Sequence, residues 1–396
     1  MREPCGERSR TKRGNLFFEA IMKKFFIFVV LATFVVQAFS YVVKVSNPLN
    51  ESRTSETICI DLKSTPVLVN LFVFSETLKK EIPFQFIDDN NDGKNDQLVF
   101  QADFESYQVQ RFRVQDADEF NQPMPEFKSI AYYVPQRKDD FAWENDKIAF
   151  RMYGQELQRT EPASSGIDVW VKSVKYPVMP KMYKKGPDYY NSDNGESLDF
   201  FDVGQTLGCG GIGVLLDKKL YCSQNYFQWK IIANGPIRTI FELTYKPWQA
   251  GKKTVGETKR ITLDLGSNFN LIESRFDADV NDVNFAVGIA KCQRGGTLAV
   301  AGDKSWLAYW QKPDEKLGSI ACGLIVPKGI SAGQFIIEEK NNMLLAKADK
   351  NNTIVYYAGA AWSRTPEFDS REKWSAFVEK QARIFACPLK VEIFAK

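Results

Sequence analysis

The stretch Arg238-Thr-Ile-Phe-Glu-Leu-Thr-Tyr245 alternates in a way that leaves little choice of geometry. Successive side chains on a strand point to opposite faces, so Thr239, Phe241, Leu243 and Tyr245 share one face. Arg238, Ile240, Glu242 and Thr244 take the other. One face belongs in a core and the other can be wet, which indicates antiparallel pairing. Strand patterns recur at Ile148–Tyr153, Thr258–Leu265, Leu271–Ala278, Gly323–Val326 and Thr353–Ala358. Helical spacing is convincing once, after Ser370, where Trp374, Phe377, Val378, Gln381 and Phe385 recur with charges between them. A strand at Leu389–Phe394 follows. The predicted fold is mainly β, with residues 141–396 forming a large antiparallel β-supersandwich that carries one C-terminal helix.

A smaller unit precedes it. Val42, Val43 and Val45, the apolar run Val67–Phe74, and Leu98–Phe100 read as short strands, giving a small N-terminal β-sandwich over residues 41–118. Pro123, Pro125 and Pro135 mark residues 119–140 as a linker or wrapping loop. Ahead of Tyr41, Lys23-Lys24, the apolar run Phe25–Val36 and Ala38-Phe39-Ser40 have the three parts of a signal peptide, residues 22–40. Residues 1–21 then read as an over-extended start before Met22. The expectation is an exported protein, periplasmic or extracellular. The apolar run falls short of the roughly 20 residues a membrane span requires. Residues 1–40 hold seven Lys/Arg and three Glu, leaving 45 basic against 46 acidic side chains in the remainder. That balance gives no basic surface for nucleic acid.

Histidine is absent from all 396 residues. A Ser-His-Asp triad, a His-ligated zinc and an imidazole proton shuttle are thereby excluded. Acid–base work must fall to Tyr, Lys, Glu, Asp or Cys. Six cysteines follow the leader: Cys59, Cys209, Cys222, Cys292, Cys322 and Cys387. They form either disulfides, with Cys209 and Cys222 the easiest local pair, or buried free thiols. Asp88, Asn90, Asp92 and Asp96 stand at the first, third, fifth and ninth positions of a calcium loop, with Gly93 at the sixth. Val99 occupies the twelfth position, where a closing acid belongs, so the segment reads either as a structural Ca²⁺ site or as an Asp-Gly hairpin turn.

The densest polar stretch is Asp188-Tyr-Tyr-Asn-Ser-Asp-Asn-Gly-Glu-Ser-Leu-Asp199, followed by a glycine-rich turn. It reads as a site loop, with a solvated Asn-Gly turn as the plainer alternative. Arg151, Arg238, Lys259 and Arg260 lie on strands, where they either grip a ligand carboxylate or form cross-strand pairs with residues such as Glu242 and Glu273.

Several strings together carry a resemblance: Phe141–Gly154, Ser165-Gly-Ile-Asp-Val-Trp-Val-Lys172, Asp193-Asn-Gly-Glu-Ser-Leu-Asp199, Gly235-Pro-Ile-Arg238 and Glu257-Thr-Lys-Arg260. They resemble a family of exported bacterial proteins, ulvan dehydratase-like, whose genes sit beside those of unsaturated glucuronyl hydrolases. The resemblance implies a sugar-mutarotase-like sandwich and a hydro-lyase that removes water from the non-reducing-end uronic acid of oligosaccharides, leaving a 4,5-unsaturated uronyl residue. In that family a His often precedes the Asp-Asn-Gly-Glu string, where this chain has Tyr190-Asn191.

Such a reaction needs the carboxylate's charge offset, a base at C5 and an acid for the departing C4 hydroxyl. Arg238 or Arg151, assisted by Asn194, is expected to hold the carboxylate. Tyr190 or Tyr189 is expected as base or acid with Glu196 as the other partner, and Asp199 is expected to contact substrate. Lys259 and Arg260 are expected to supply the field that makes a phenol acidic. No cofactor is required. The competing readings are a polysaccharide lyase that cleaves at uronate and a non-catalytic carbohydrate-binding protein.

Overall fold

The alternation becomes paired strands throughout the computed structural model, which describes residues 40–65, 71–116, 126–162, 164–277, 280 and 283–395. The expected leader up to residue 39, the start of the proline-bearing linker and part of the run from Val67 lie outside the described residues. Arg238–Ala250 lies between Gln228–Ala233 and Lys253–Asp264 in an eight-stranded antiparallel sheet. The sheet continues through Phe269–Asp277, Thr353–Trp362, Ile320–Ile325, Trp306–Gln311 and Gly296–Val300. Thr239, Phe241, Leu243 and Tyr245 are buried, as their shared face requires. Ile240, on the opposite face, is buried too, because Ile87 and Val99 of the N-terminal sandwich pack against it with Ile237.

Two five-stranded sheets contribute to the same core. The first runs Ser197–Asp199, Asp168–Lys172, Ile148–Met152, Asp140–Glu144, Ile130–Val134. The second runs Lys219–Tyr221, Cys209–Leu216, Asn284–Ala290, Asn341–Ala346, Ser331–Ile337. A parallel bridge between Ile167 and Gly208 links them. Gly208 has φ +58°, and a Cβ there would stand 2.2 Å from the carbonyl oxygen of Ile167, so the junction admits only glycine. Phe150, Val169, Phe241, Leu263, Val287 and Tyr356 meet between the sheets, giving the large antiparallel sandwich that the alternation implied.

Ser40–Ser46 pairs with Val109–Asp116 on one side and Lys390–Ala395 on the other, in a five-stranded sheet that includes Leu71–Ser75 and Lys80–Ile82. Arg53–Asp61, Gln97–Phe104 and Phe84–Ile87 form the facing three-stranded sheet. Tyr41, Val43, Ile58, Phe100 and Phe112 are central to the small core between them. The strand near the C-terminus, read from sequence as part of the larger sandwich, therefore belongs to the smaller one. Periodicity identifies a strand but not the edge it completes. Both sandwiches form one compact unit beginning at Ser40.

Ser370 caps the helix Arg371–Ala386, which buries Trp374 and Val378 against Phe269, Ala321 and Ile325 on the eight-stranded sheet. Two shorter helices, Met179–Lys185 and Pro187–Tyr190, carry too few residues for a 3.6-residue period to register in sequence. Within the expected linker, Ile130–Val134 forms an edge strand that Pro135 ends. The six described cysteines are free thiols. Among the described residues no helix is long and apolar enough to cross a membrane.

Candidate active site

The outer face of the first five-stranded sheet carries a dense set of charges. Ile148, Phe150, Met152, Val169 and Val171 enter the core, so alternation turns Ala149, Arg151, Asp168 and Trp170 the other way. Register then assembles them: Arg151 stands opposite Asp168, and Trp170 opposite Asp199. The helices Met179–Lys185 and Pro187–Tyr190 cover this face, packing Met179, Met182 and Tyr190 with Trp170, Ala142 and Ala149. Glu144 anchors the cover. Its carboxylate accepts the backbone N–H groups of Val178 and Met179 at 2.8–3.0 Å and pairs with Lys172 at 2.6 Å, both side chains being fully buried.

Arg151 is the hub. Its Nε donates to Asp168 Oδ2 at 2.9 Å, and Nη2 donates to the same oxygen and to Asp199 at 3.0 Å. Asp140 lies 3.6 Å from Nη1. Tyr153 donates its hydroxyl proton to Asp168 at 2.7 Å, and Tyr183 donates to Asp140 at 3.3 Å. Arg137 donates from Nε to Tyr190 Oη at 2.9 Å. The rings of Tyr153 and Trp170 each lie 5.1 Å from the Arg151 guanidinium.

Burial pushes the Asp140 carboxyl up to about 6, although Arg151 and Arg137 pull the other way. It pushes Asp199 up to about 7 against Arg151, and the negative charge of Asp168 adds to the rise. Burial, followed by the neighbouring carboxylates, also holds Tyr153 and Tyr183 well above the ordinary phenol value. Two carboxyls can therefore exchange protons near neutral pH, beside phenols that stay protonated. That combination can run acid–base chemistry without imidazole.

The sequence-predicted residues divide between places. Arg151 and Asp199 bond directly, and Tyr190 and Tyr189 belong to the apolar cluster beneath the covering helices. Asn194 closes a turn, its Oδ1 accepting from the N–H groups of Glu196 and Ser197 at 3.0 and 3.1 Å. Glu196 is held at the surface by Tyr176 and Lys181, both at 2.6 Å. Arg238 is not in this cluster. It makes a two-pronged pair with Asp264 at 2.5 and 2.7 Å, in a cavity that Tyr189, Tyr190 and Glu196 do not line.

Lys259 and Arg260 cannot act together on a phenol of the loop, because adjacent strand positions face opposite ways. Lys259 is buried 2.6 Å from Glu257. Arg260 meets Asp89, with Glu242 at 3.5 Å and Glu273 at 3.7 Å. Asp88–Asp96 forms a turn between strands in which Asp88 accepts from the N–H groups of Asp92 and Gly93 at 3.1 and 2.8 Å. Asp96 accepts from Asp89 N–H and pairs with Lys63, each at 2.9 Å. No cluster of three or more Cys, Asp or Glu side chains poised to hold a metal occurs among the described residues.

Asp140, Asp168, Tyr153, Tyr183 and Arg137 escaped the sequence reading. A signal existed for the first two. In Asp140-Phe-Ala-Trp-Glu144 and Asp168-Val-Trp-Val-Lys172, ionisable residues fall at even spacing between buried apolar ones. They therefore share the face that carries Arg151.

A family model described as "Domain of unknown function (DUF4861)" matches residues 45–391. A Formosa agariphila protein described as "Uncharacterized protein P7" is 33% identical over 373 residues, covering 89% of this chain and 93% of that protein. A solved protein in glycosyl hydrolase family 38 from Enterococcus faecalis superposes with a TM-score of 0.50 at 10% identity, covering 91% of this chain and 48% of its own. An alpha-mannosidase from the same organism gives 0.49 at 10% identity, covering 96% and 49%. The chain spans about half the length of these solved proteins, and the likeness concerns the β-rich fold.

Proposed function

The chain belongs to the DUF4861 family of domains of unknown function, and from that premise we propose that it is a carbohydrate-active hydro-lyase. Its substrate is a uronate-ended ulvan oligosaccharide, from which it removes water at the non-reducing end to leave a 4,5-unsaturated uronyl residue. The resemblance of the Asp193–Asp199 string and its companions supports this reading, and the fold shared with the solved glycosyl hydrolase family 38 protein accords with it. The observation that carries it is the set of three carboxylates, Asp140, Asp168 and Asp199, gathered around buried Arg151.

In the reaction the C5–H and C4–O bonds break, a C4=C5 double bond forms, and water leaves. Asp199, ionised above about pH 7, is assigned the C5 proton. Tyr153, kept protonated by burial and by Asp168, is assigned the proton for the departing hydroxyl. Arg151 and Arg137 offset the negative charge that accumulates as the C5 proton leaves. The product is what an unsaturated glucuronyl hydrolase would consume, and the expected export places the reaction outside the cytoplasm.

Mass spectrometry of a defined uronate-ended oligosaccharide before and after incubation tests the reading. The expected product is lighter by one water and unchanged in chain length, and Asp199→Asn abolishes it. A shortened chain would instead identify a polysaccharide lyase. An unaltered mass with pure, folded protein would leave only carbohydrate binding.

A further inference from the structure

A cavity of about 720 Å³ opens where the small sandwich, the eight-stranded sheet and the C-terminal helix meet, and no residue of the Arg151 cluster lines it. Its wall holds five cationic side chains, Arg53, Lys147, Arg238, Lys373 and Lys380, against Glu56, Asp264 and Glu367. Four of the cations are engaged: Arg238 with Asp264 at 2.5 Å, Lys147 with Glu367 at 2.8 Å, Lys373 with Asp369 at 2.6 Å and Arg53, more loosely, with Glu56 at 3.6 Å. Lys380 has no ion-pair partner among the described residues.

Arg53 is the unusual member. Its side chain is fully buried, and Nη2 donates to the carbonyl of Cys387 at 2.5 Å. Nε and Nη1 have no hydrogen-bond partner among the described residues, and the nearest carboxylate, Glu56, stands 3.6 Å from Nη1. Buried guanidinium N–H groups without acceptors are rare, because desolvation penalises them. The strand directs this side chain at a local irregularity. Register shifts between Arg53 and Glu56, and Ser55 takes a left-handed φ of +55°. A bulge of this kind re-aims side chains, and backbone strain of this kind collects at ligand sites. Beside the charges, Tyr357 and Phe385 stack with centroids 3.9 Å apart, and Phe377 adds a third ring.

Guanidinium N–H groups that lack a hydrogen-bond acceptor and meet Glu56 only at 3.6 Å suit the oxygens of a carboxylate or sulfate, and ring faces suit the apolar side of a sugar. We propose that this cavity binds an anion-bearing sugar residue, its carboxylate or sulfate ester seated on Arg53 with Lys380 at the rim. The sugar part rests on the carbohydrate reading above, while the anion part rests on Arg53 itself. The site is separate from the Arg151 cluster, so it gives an acidic oligosaccharide a second point of attachment.

Calorimetric titration of the Asp199→Asn protein, which blocks turnover, tests this with three ligands. They are a glucuronate-ended disaccharide, its carboxyl-reduced form, and the carboxyl-reduced form bearing a sulfate ester. At least one acidic ligand is expected to bind, the uncharged form at least about tenfold more weakly, and binding to weaken with added salt. Adding Lys380→Glu, a change on a half-exposed helix position, is expected to lower affinity at least about tenfold, as is Arg53→Gln where that protein folds. Equal binding of the uncharged sugar, or affinity untouched by Lys380→Glu, would overturn the proposal. Failure of the hydro-lyase reading looks different: Lys380-dependent binding persists while the wild-type protein leaves the sugar's mass unaltered.

Discussion

Asp199 shows how one side chain acquires chemistry from its surroundings. Arg151 alone would hold its carboxyl low, yet burial and Asp168 outweigh that pull and bring it to about 7. If it accepts the C5 proton, kcat/KM should rise with pH through about 7, since the base must be ionised. Asp199→Asn should lower kcat/KM by about 10²–10⁴-fold and remove that rise, in contrast to a residue that merely supports the fold. Glu196→Gln is the discriminating control. Its carboxylate engages Tyr176 and Lys181 at the surface, so activity close to wild type is expected, and a large loss would move the chemistry to the loop. The same carboxyls predict a stability trend. With folded values raised to about 6 and about 7, Asp140 and Asp199 keep protons that the unfolded chain releases near pH 4. Their contribution is complete below that point and declines as pH climbs towards 7. Thermal melts from acid to neutral pH should show a shallower decline in Asp199→Asn, and identical slopes would refute the assignment.

Among the elements, the covering helix Met179–Lys185 depends on a partner from the sheet beneath it. Glu144 takes the N–H groups at the helix start and the ammonium of Lys172 together, all out of water. Glu144→Ala strands both, and a loss of about 3–5 kcal/mol in urea denaturation is expected, with faster hydrogen exchange over residues 178–190. This level also explains what could be read in advance. Alternation in Arg238–Tyr245 disclosed the buried face, and the spacing around Trp374 disclosed the helix, because both are local periods. The Arg151 cluster draws on four strands, both covering helices and the turn Pro135–Arg137, so local composition pointed to the polar loop instead. Tyr190 and Asp199 drew notice because that loop is conspicuous, yet Tyr190 packs in the apolar cluster while Asp199 bonds to Arg151. Asp168 sits inside an apolar string, and Arg238 drew notice as a strand arginine although Asp264, across the strand pair, already occupies it.

At the scale of the whole molecule, the small sandwich takes an edge strand, Lys390–Ala395, from distant sequence, its residues facing Tyr41–Ser46 across an antiparallel register. The carbonyl of Cys387, just before that strand, also holds Arg53. Removing residues 388–396 should therefore loosen the small sandwich selectively, exposing amides of 41–46 to exchange while the large core stays protected. Uniform protection in the shortened protein would refute that dependence. The topology has a temporal consequence. Lys44 waits for Glu392, 348 positions downstream, so ribosomal emergence alone cannot finish the amino-terminal sheet. The edge of that sheet therefore waits for residues 390–395, which are made long after the strand they complete.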